Sequence, residues 1–247
     1  MRGIRKPCPP GDVSPDGQPA RTFTEAEQTC LEDLKGLVSD SDKTRCARGH
    51  FDRLDKSKLR AVMLREQHHL CIYCERRLGG NPIPHIDHWR PLSRNPDLAL
   101  HWKNLHLSCA NAETCDSAKG DQPLRCDASD PDLPWPTECK FERYVGFTSG
   151  GEMYVRNDVG IAVATHRGLC YSIGETVLNL NAPALIAARK AAIDSEKSGI
   201  ARRFKEKTAS KTDRDKIADD MLKAAPWPAF VSIRVAWLCK LLGAGRS

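Results

Sequence analysis

Cys71-Ile-Tyr-Cys74, His85-Ile-Asp87-His88-Trp89-Arg90-Pro91, Asn104-Leu-His-Leu-Ser-Cys109 and Cys115-Asp116-Ser-Ala-Lys119-Gly120-Asp121 follow one another within residues 71–121. Two cysteine pairs bracket an acid-histidine dyad, and a second acid comes directly after the last cysteine. A Cys-x2-Cys knuckle with a second pair can supply four thiolates to a tetrahedral zinc ion. The second pair, Cys109 and Cys115, is five residues apart rather than two, and Ala-Asn-Ala-Glu-Thr can loop out between them. Cys126 or a histidine is the alternative fourth ligand. The blander reading is four ordinary core thiols.

The dyad does different work. At a strand end, adjacent side chains point to opposite faces, so Asp87 and His88 must serve different roles. Asp87 suits a hard divalent ion such as Mg2+ or Mn2+. His88 titrates near neutrality and suits a general base facing an attacking water. Asp116, in the first turn of a helix after Cys115, is the second candidate oxygen ligand, although capping that helix is its commoner use. Asn104 cannot be a base, but its amide can orient the histidine loop. Lys119 and Arg90 are the candidate phosphate contacts. His85, His101 and His106 read as surface or packing residues, and Trp89 as core. The pattern as a whole suits a metal held beside a phosphodiester.

Around this segment the chain is 247 residues long with a net charge of +6. Mild basicity fits a polyanionic partner without requiring one. Residues 71–121 balance six Lys/Arg against six Asp/Glu, whereas 189–216 hold ten against five, so the excess lies outside the motif. Eleven cysteines, an odd number, point to a reduced cytosolic compartment and to thiols used for metal rather than disulfides. No opening apolar run resembles a signal peptide, and Ala229 to Leu242 is too short and too charged to span a bilayer, so no membrane association is expected.

Three segments follow: 1–55, an extended arm and a helix; 56–126, the motif-bearing core; 127–247, a strand pair and C-terminal helices. Thr24 and Glu27 have the capping-box spacing, which predicts a helix over 24–38. A second helix is expected from Leu54 towards the Cys71 knuckle. Asp127–Pro136, rich in Pro and Asp, reads as a boundary. Strands are expected within 141–164 with a turn at Thr148–Gly151. Helices are expected from Pro183 to about Lys207, over 212–224 and over 229–242. Val231, Val235, Leu238 and Leu242 form an apolar stripe, read as core in preference to a docking face.

The 71–121 segment resembles an HNH endonuclease of the ββα-metal kind with a cysteine-held zinc. The likeness extends to the HNH proteins of retron and Septu anti-phage systems. It is carried by the motifs above, by Met1-Arg2-Gly-Ile4-Arg-Lys6, Leu70-Cys-Ile-Tyr-Cys-Glu75, Trp102-Lys-Asn-Leu105 and Val177-Leu-Asn-Leu-Asn181. The resemblance implies an α+β fold, a ββα-metal core with a zinc knuckle flanked by helical segments. It implies a bacterial cytoplasmic nuclease effector of DNA or tRNA/RNA, controlled by an ABC/SMC-like ATPase and in some systems accompanied by a retron reverse transcriptase and its msDNA. By position, Asp87 and Asp116 become ligands of the catalytic divalent ion, His88 the general base and Asn104 the orienting amide. Position 116, where the pattern often has His, Asn or Gly, is the point of departure. The rival expectations are a silent zinc-stabilised nucleic-acid-binding module and a partner-docking protein.

Overall fold

The computed structural model describes residues 4–6, 9–15, 17–157, 162–174, 177–205 and 208–242. Met1 to Gly3 of the N-terminal likeness, and Cys8, lie outside them. The described chain is mixed helix and sheet, with two small antiparallel pairs of strands. No described helix is long and apolar enough to cross a membrane.

Three helices come first: α1 (Phe23–Lys35), α2 (Asp40–Asp52) and α3 (Lys56–Glu66). The expected cap at Thr24 is replaced by one at Thr22. Its hydroxyl accepts from the Glu25 N–H, and the Glu25 carboxylate accepts from the Thr22 N–H. Both registers satisfy the spacing. The one adopted puts Phe23, Ala26, Cys30 and Leu34 on the buried side. Helix α2 was not foreseen, although Ser39 caps it and Asp40 and Asp42 occupy its first turn, the charge the helix dipole favours there. Asp55 caps α3, whose Leu59 and Met63 are buried.

The motif segment folds as β1 (His85–His88), β2 (Leu105–Ser108) and the short helix α4 (Cys115–Lys119). The strands are antiparallel, with Asp87 opposite His106 and His88 opposite Leu105. Strands β3 (Val145–Phe147) and β4 (Met153–Val155) follow, turned through Thr148–Gly151 as expected. Gly151 has φ +99, and a Cβ there would meet the Ile186 carbonyl oxygen at 2.4 Å, so only glycine fits. Helix α5 (Val163–Ile173) was not foreseen. Helices α6 (Pro183–Phe204) and α7 (Lys211–Lys223) lie close to the expected spans, and α8 (Val231–Leu238) is shorter than the expected 229–242.

One buried apolar cluster runs from Val13 through Leu59, Trp89, Leu107, Phe141 and Leu178 to Ile233. The 127–136 stretch, read from composition as a boundary, contributes Leu133 to that cluster. Leu133 is buried, its carbonyl accepts from the Trp89 indole at 3.3 Å, and its N–H donates to Leu124. Of the expected stripe, Val231 and Leu238 are fully buried, whereas Val235 is half-buried and Leu242 lies beyond α8.

Candidate metal and phosphodiester site

Four buried cysteines, Cys71, Cys74, Cys109 and Cys115, form a cluster that could hold a metal such as zinc. Their sulfurs all lie within 4.8 Å of one another. The Cys71–Cys115 and Cys74–Cys109 separations are 3.8 Å, and Cys109–Cys115 is 3.6 Å. A disulfide needs sulfurs about 2.05 Å apart, so none is formed. Four thiolates about 2.3 Å from one zinc ion stand about 3.8 Å from each other, which is the spacing found. Two residues in left-handed backbone, Glu75 and Cys115, both with φ 62, bend the chain around the sulfurs. Neither is a glycine, so the turns are strained and need support. It comes from N–H bonds of Glu75 to the Cys71 carbonyl (3.1 Å) and of Cys115 to the Leu178 carbonyl (2.8 Å). Hydrogen bonding within the cluster, that of Cys109 foremost, pushes the Cys74 and Cys115 thiols well above their ordinary value.

The C-terminal elements close over these sulfurs. The Glu75 carboxylate accepts from the Ser232 N–H (2.8 Å) and hydroxyl (2.5 Å), and its carbonyl from the Phe230 N–H (2.9 Å). Arg189 of α6 is buried and donates to the carbonyls of Gly151 (3.1 Å) and Leu180 (2.5 Å). Burial depresses its pKa, and the charges of Cys74, Glu75 and Cys115 raise it. A cation thus stands beside the place where thiolate charge would gather. Sequence reasoning missed Arg189 and Glu75. The Leu178-Asn-Leu-Asn181 likeness was the available hint, since Leu178 and Asn181 both bond here.

Strand β1 sorts the remaining residues by face. His85 and Asp87 share one side, and α4 lies across it. The Asp87 carboxylate Oδ2 accepts from the Tyr73 hydroxyl (2.5 Å) and from Lys119 Nζ (2.8 Å). Lys119 also donates to the His88 carbonyl at 2.6 Å and is 1 % exposed. Lys119, expected to reach a phosphate, is drawn inward by its pairing with Asp87. Arg90 is engaged as well, 3.5 Å from Asp132 and 4.2 Å over the Trp135 ring. Burial, followed by the Asp87 charge, pushes the Tyr73 phenol well above its ordinary pKa, so it stays a proton donor.

Asp116 Oδ2 accepts from His85 Nδ1 at 2.8 Å. Its Oδ1 is buried and has no hydrogen-bond partner. A buried carboxylate oxygen so placed is one that a donor or a cation can complete. His85, expected to be idle, therefore joins the site. The signal was available, because residues two apart on a strand share a face.

His88 points the other way. Its ring meets the edge of Phe51 of α2 at 4.8 Å, and Nε2 donates to the Ala99 carbonyl at 2.9 Å. A carbonyl can only accept, so Nε2 carries the proton and Nδ1 the free lone pair. The residue is 7 % exposed. Burial pushes its pKa down to about 4, which leaves the imidazole neutral at pH 7. Asn104, fully buried, staples the intervening loop: Oδ1 accepts from the Arg90 N–H (2.7 Å), and Nδ2 donates to the carbonyls of Arg90 (3.1 Å) and Leu98 (2.9 Å).

No family model matches the chain, and no curated protein matches its sequence. His101 stacks on Trp135, and His106 is buried with its ring edge on Trp89, both as packing residues.

Proposed function

We propose that this chain is a metal-dependent endonuclease of the HNH type that hydrolyses nucleic-acid phosphodiesters. The observation that carries the reading is the His88–Ala99 bond, set by the Asn104-stapled loop. It fixes one tautomer, with Nδ1 as acceptor, at the end of a strand whose other face bears Asp87. Zinc in the four-cysteine cluster would be structural, holding β1, β2 and α4 to the rest of the chain.

Asp116 and Asp87 would hold Mg2+ or Mn2+, and the unpartnered Asp116 Oδ1 supports that assignment. Such an ion polarises a phosphate and stabilises a leaving oxyanion. Asp116 keeps its place through His85. Asp87 is aimed by the Tyr73 hydroxyl and by Lys119 Nζ, which both donate to its Oδ2. His88 Nδ1 would take the proton of the attacking water. A pKa near 4 makes it a weak base in the free protein, and an approaching phosphate dianion or diester raises it by adding negative charge nearby. From the resemblance, an ABC/SMC-like ATPase and an anti-phage role complete the proposal.

A second reading is supported by the burial of His88 and the neutralisation of Asp87 by Lys119, namely a zinc-stabilised module that binds nucleic acid without cleaving it. Plasmid DNA and total tRNA, incubated with the full chain in Mg2+, Mn2+ or EDTA, separate the two. Under the nuclease reading, cleavage requires a divalent ion. His88→Ala and His88→Gln lose on the order of 10²–10⁴-fold in rate, measured at a temperature where both variants remain folded. A His88 variant as fast as its parent would remove the assignment, and binding without cleavage in every condition would favour the silent module.

A further inference from the structure

The two cations that sequence spacing assigns to phosphate, Lys119 and Arg90, are both engaged inside the chain. A site acting on a polyanion then needs positive charge from another element. Helix α2 is the element lying against His88, through Phe51. Along α2, Ser41, Thr44, Arg45 and Arg48 fall at helical spacings that bring them to one side. With Asp40 and Ser93 they line an open groove. Thr44 Oγ1 donates to the Ser93 carbonyl at 3.4 Å, pinning the helix to the segment just after Pro91.

Of the groove's two arginines, Arg45 is tied to Asp42. Arg48 is exposed, and among the described residues no hydrogen bond or ion pair holds its guanidinium. It lies one helical turn from Phe51, whose ring touches His88. Its charge is among those acting on that imidazole. A free guanidinium flanked by hydroxyls, one helical turn from the ring that packs on His88, is the chemistry that tracks a phosphodiester backbone.

We propose that the α2 groove receives the nucleic-acid backbone and that Arg48 contacts the phosphate next to His88. This rests on the reading of His88 as acting on a phosphodiester. Arg45 and the acid at the groove mouth, Asp40, leave Arg48 as the main attraction, so its removal has a large effect.

The test is fluorescence anisotropy with the full chain, Ca2+ replacing Mg2+, against a labelled DNA duplex and a labelled RNA hairpin. Arg48→Ala should weaken binding about tenfold and lower the log–log salt slope by about one between roughly 50 and 200 mM salt. Arg48→Glu should weaken it further, and Arg48→Lys should retain the slope. The arm that binds more tightly identifies the nucleic acid. Arg48→Ala and Arg48→Glu binding as the parent does, or a parent that binds neither probe, overturns the proposal. Cleavage by His88→Ala at the parental rate, with Arg48→Ala still weakened, would sink the hydrolase reading and leave the groove standing.

Discussion

Asn104 is assigned in the sequence as an orienting amide, and its three hydrogen bonds say what it orients. It holds the Leu98 carbonyl, and the next carbonyl, Ala99, is the one that accepts the hydrogen bond from His88 Nε2. Asn104→Ala would leave one N–H and two carbonyls unpaired in the interior. We expect a loss of about 2–4 kcal/mol, read by denaturant unfolding, with His88 misplaced as well. The burial of Lys6 was not legible. It donates to the Trp102 carbonyl at 2.9 Å and lies 3.8 Å over that ring, while Glu66 stands 3.8 Å away. Desolvation pushes Lys6 down to about 7 and Glu66 up to about 7. For the carboxyl, the folded pKa exceeds the ordinary 4.5, so stability falls as pH rises between those values. For the amine it lies below the ordinary 10.5, so stability rises again above about 7. Tm measured across this range should show a minimum contributed near neutrality, and Glu66→Gln should lack the falling acid limb. A Gln variant with the parental profile would refute the assignment.

Among the elements, the knuckle and the β1–β2 pair were readable because metal spacing and alternation are local. Helices α2 and α5 were not, since neither offers strong apolar periodicity. The α1 cap was misplaced because Thr22 and Thr24 both meet the same local rule, and only burial of Phe23 chooses between them. At this scale the cysteine cluster makes a direct prediction. Purified protein should carry about one zinc per chain by elemental analysis, and Cys74→Ser should reduce that content and lower Tm together. Metal-free parent with unchanged Tm would count against it. The α8 latch makes another. Ser232→Ala removes one donor to the buried Glu75 carboxylate. It should cost about 1–3 kcal/mol, seen first as faster amide exchange over 230–238.

The whole molecule is less divisible than its motifs suggest. A Pro- and Asp-rich stretch reads as a boundary from composition, yet Leu133 and Phe141 cover Trp89 and belong to its core. Side-chain burial of this kind depends on contacts far apart in sequence, so no local pattern announces it. A fragment of residues 56–126 should therefore lack cooperative unfolding and dispersed amide resonances even with zinc supplied. A well-folded fragment would show that the rest is an accessory. The same interlock has a temporal side. Leu178, Arg189 and Ser232, which brace the sulfurs, are synthesised long after Cys71 and Cys74 leave the ribosome. Until α8 is translated, four thiols wait in an unfinished chain, open to oxidation and to stray ions. Expression under oxidant should thus reduce the yield of soluble protein more than the same oxidant applied after folding.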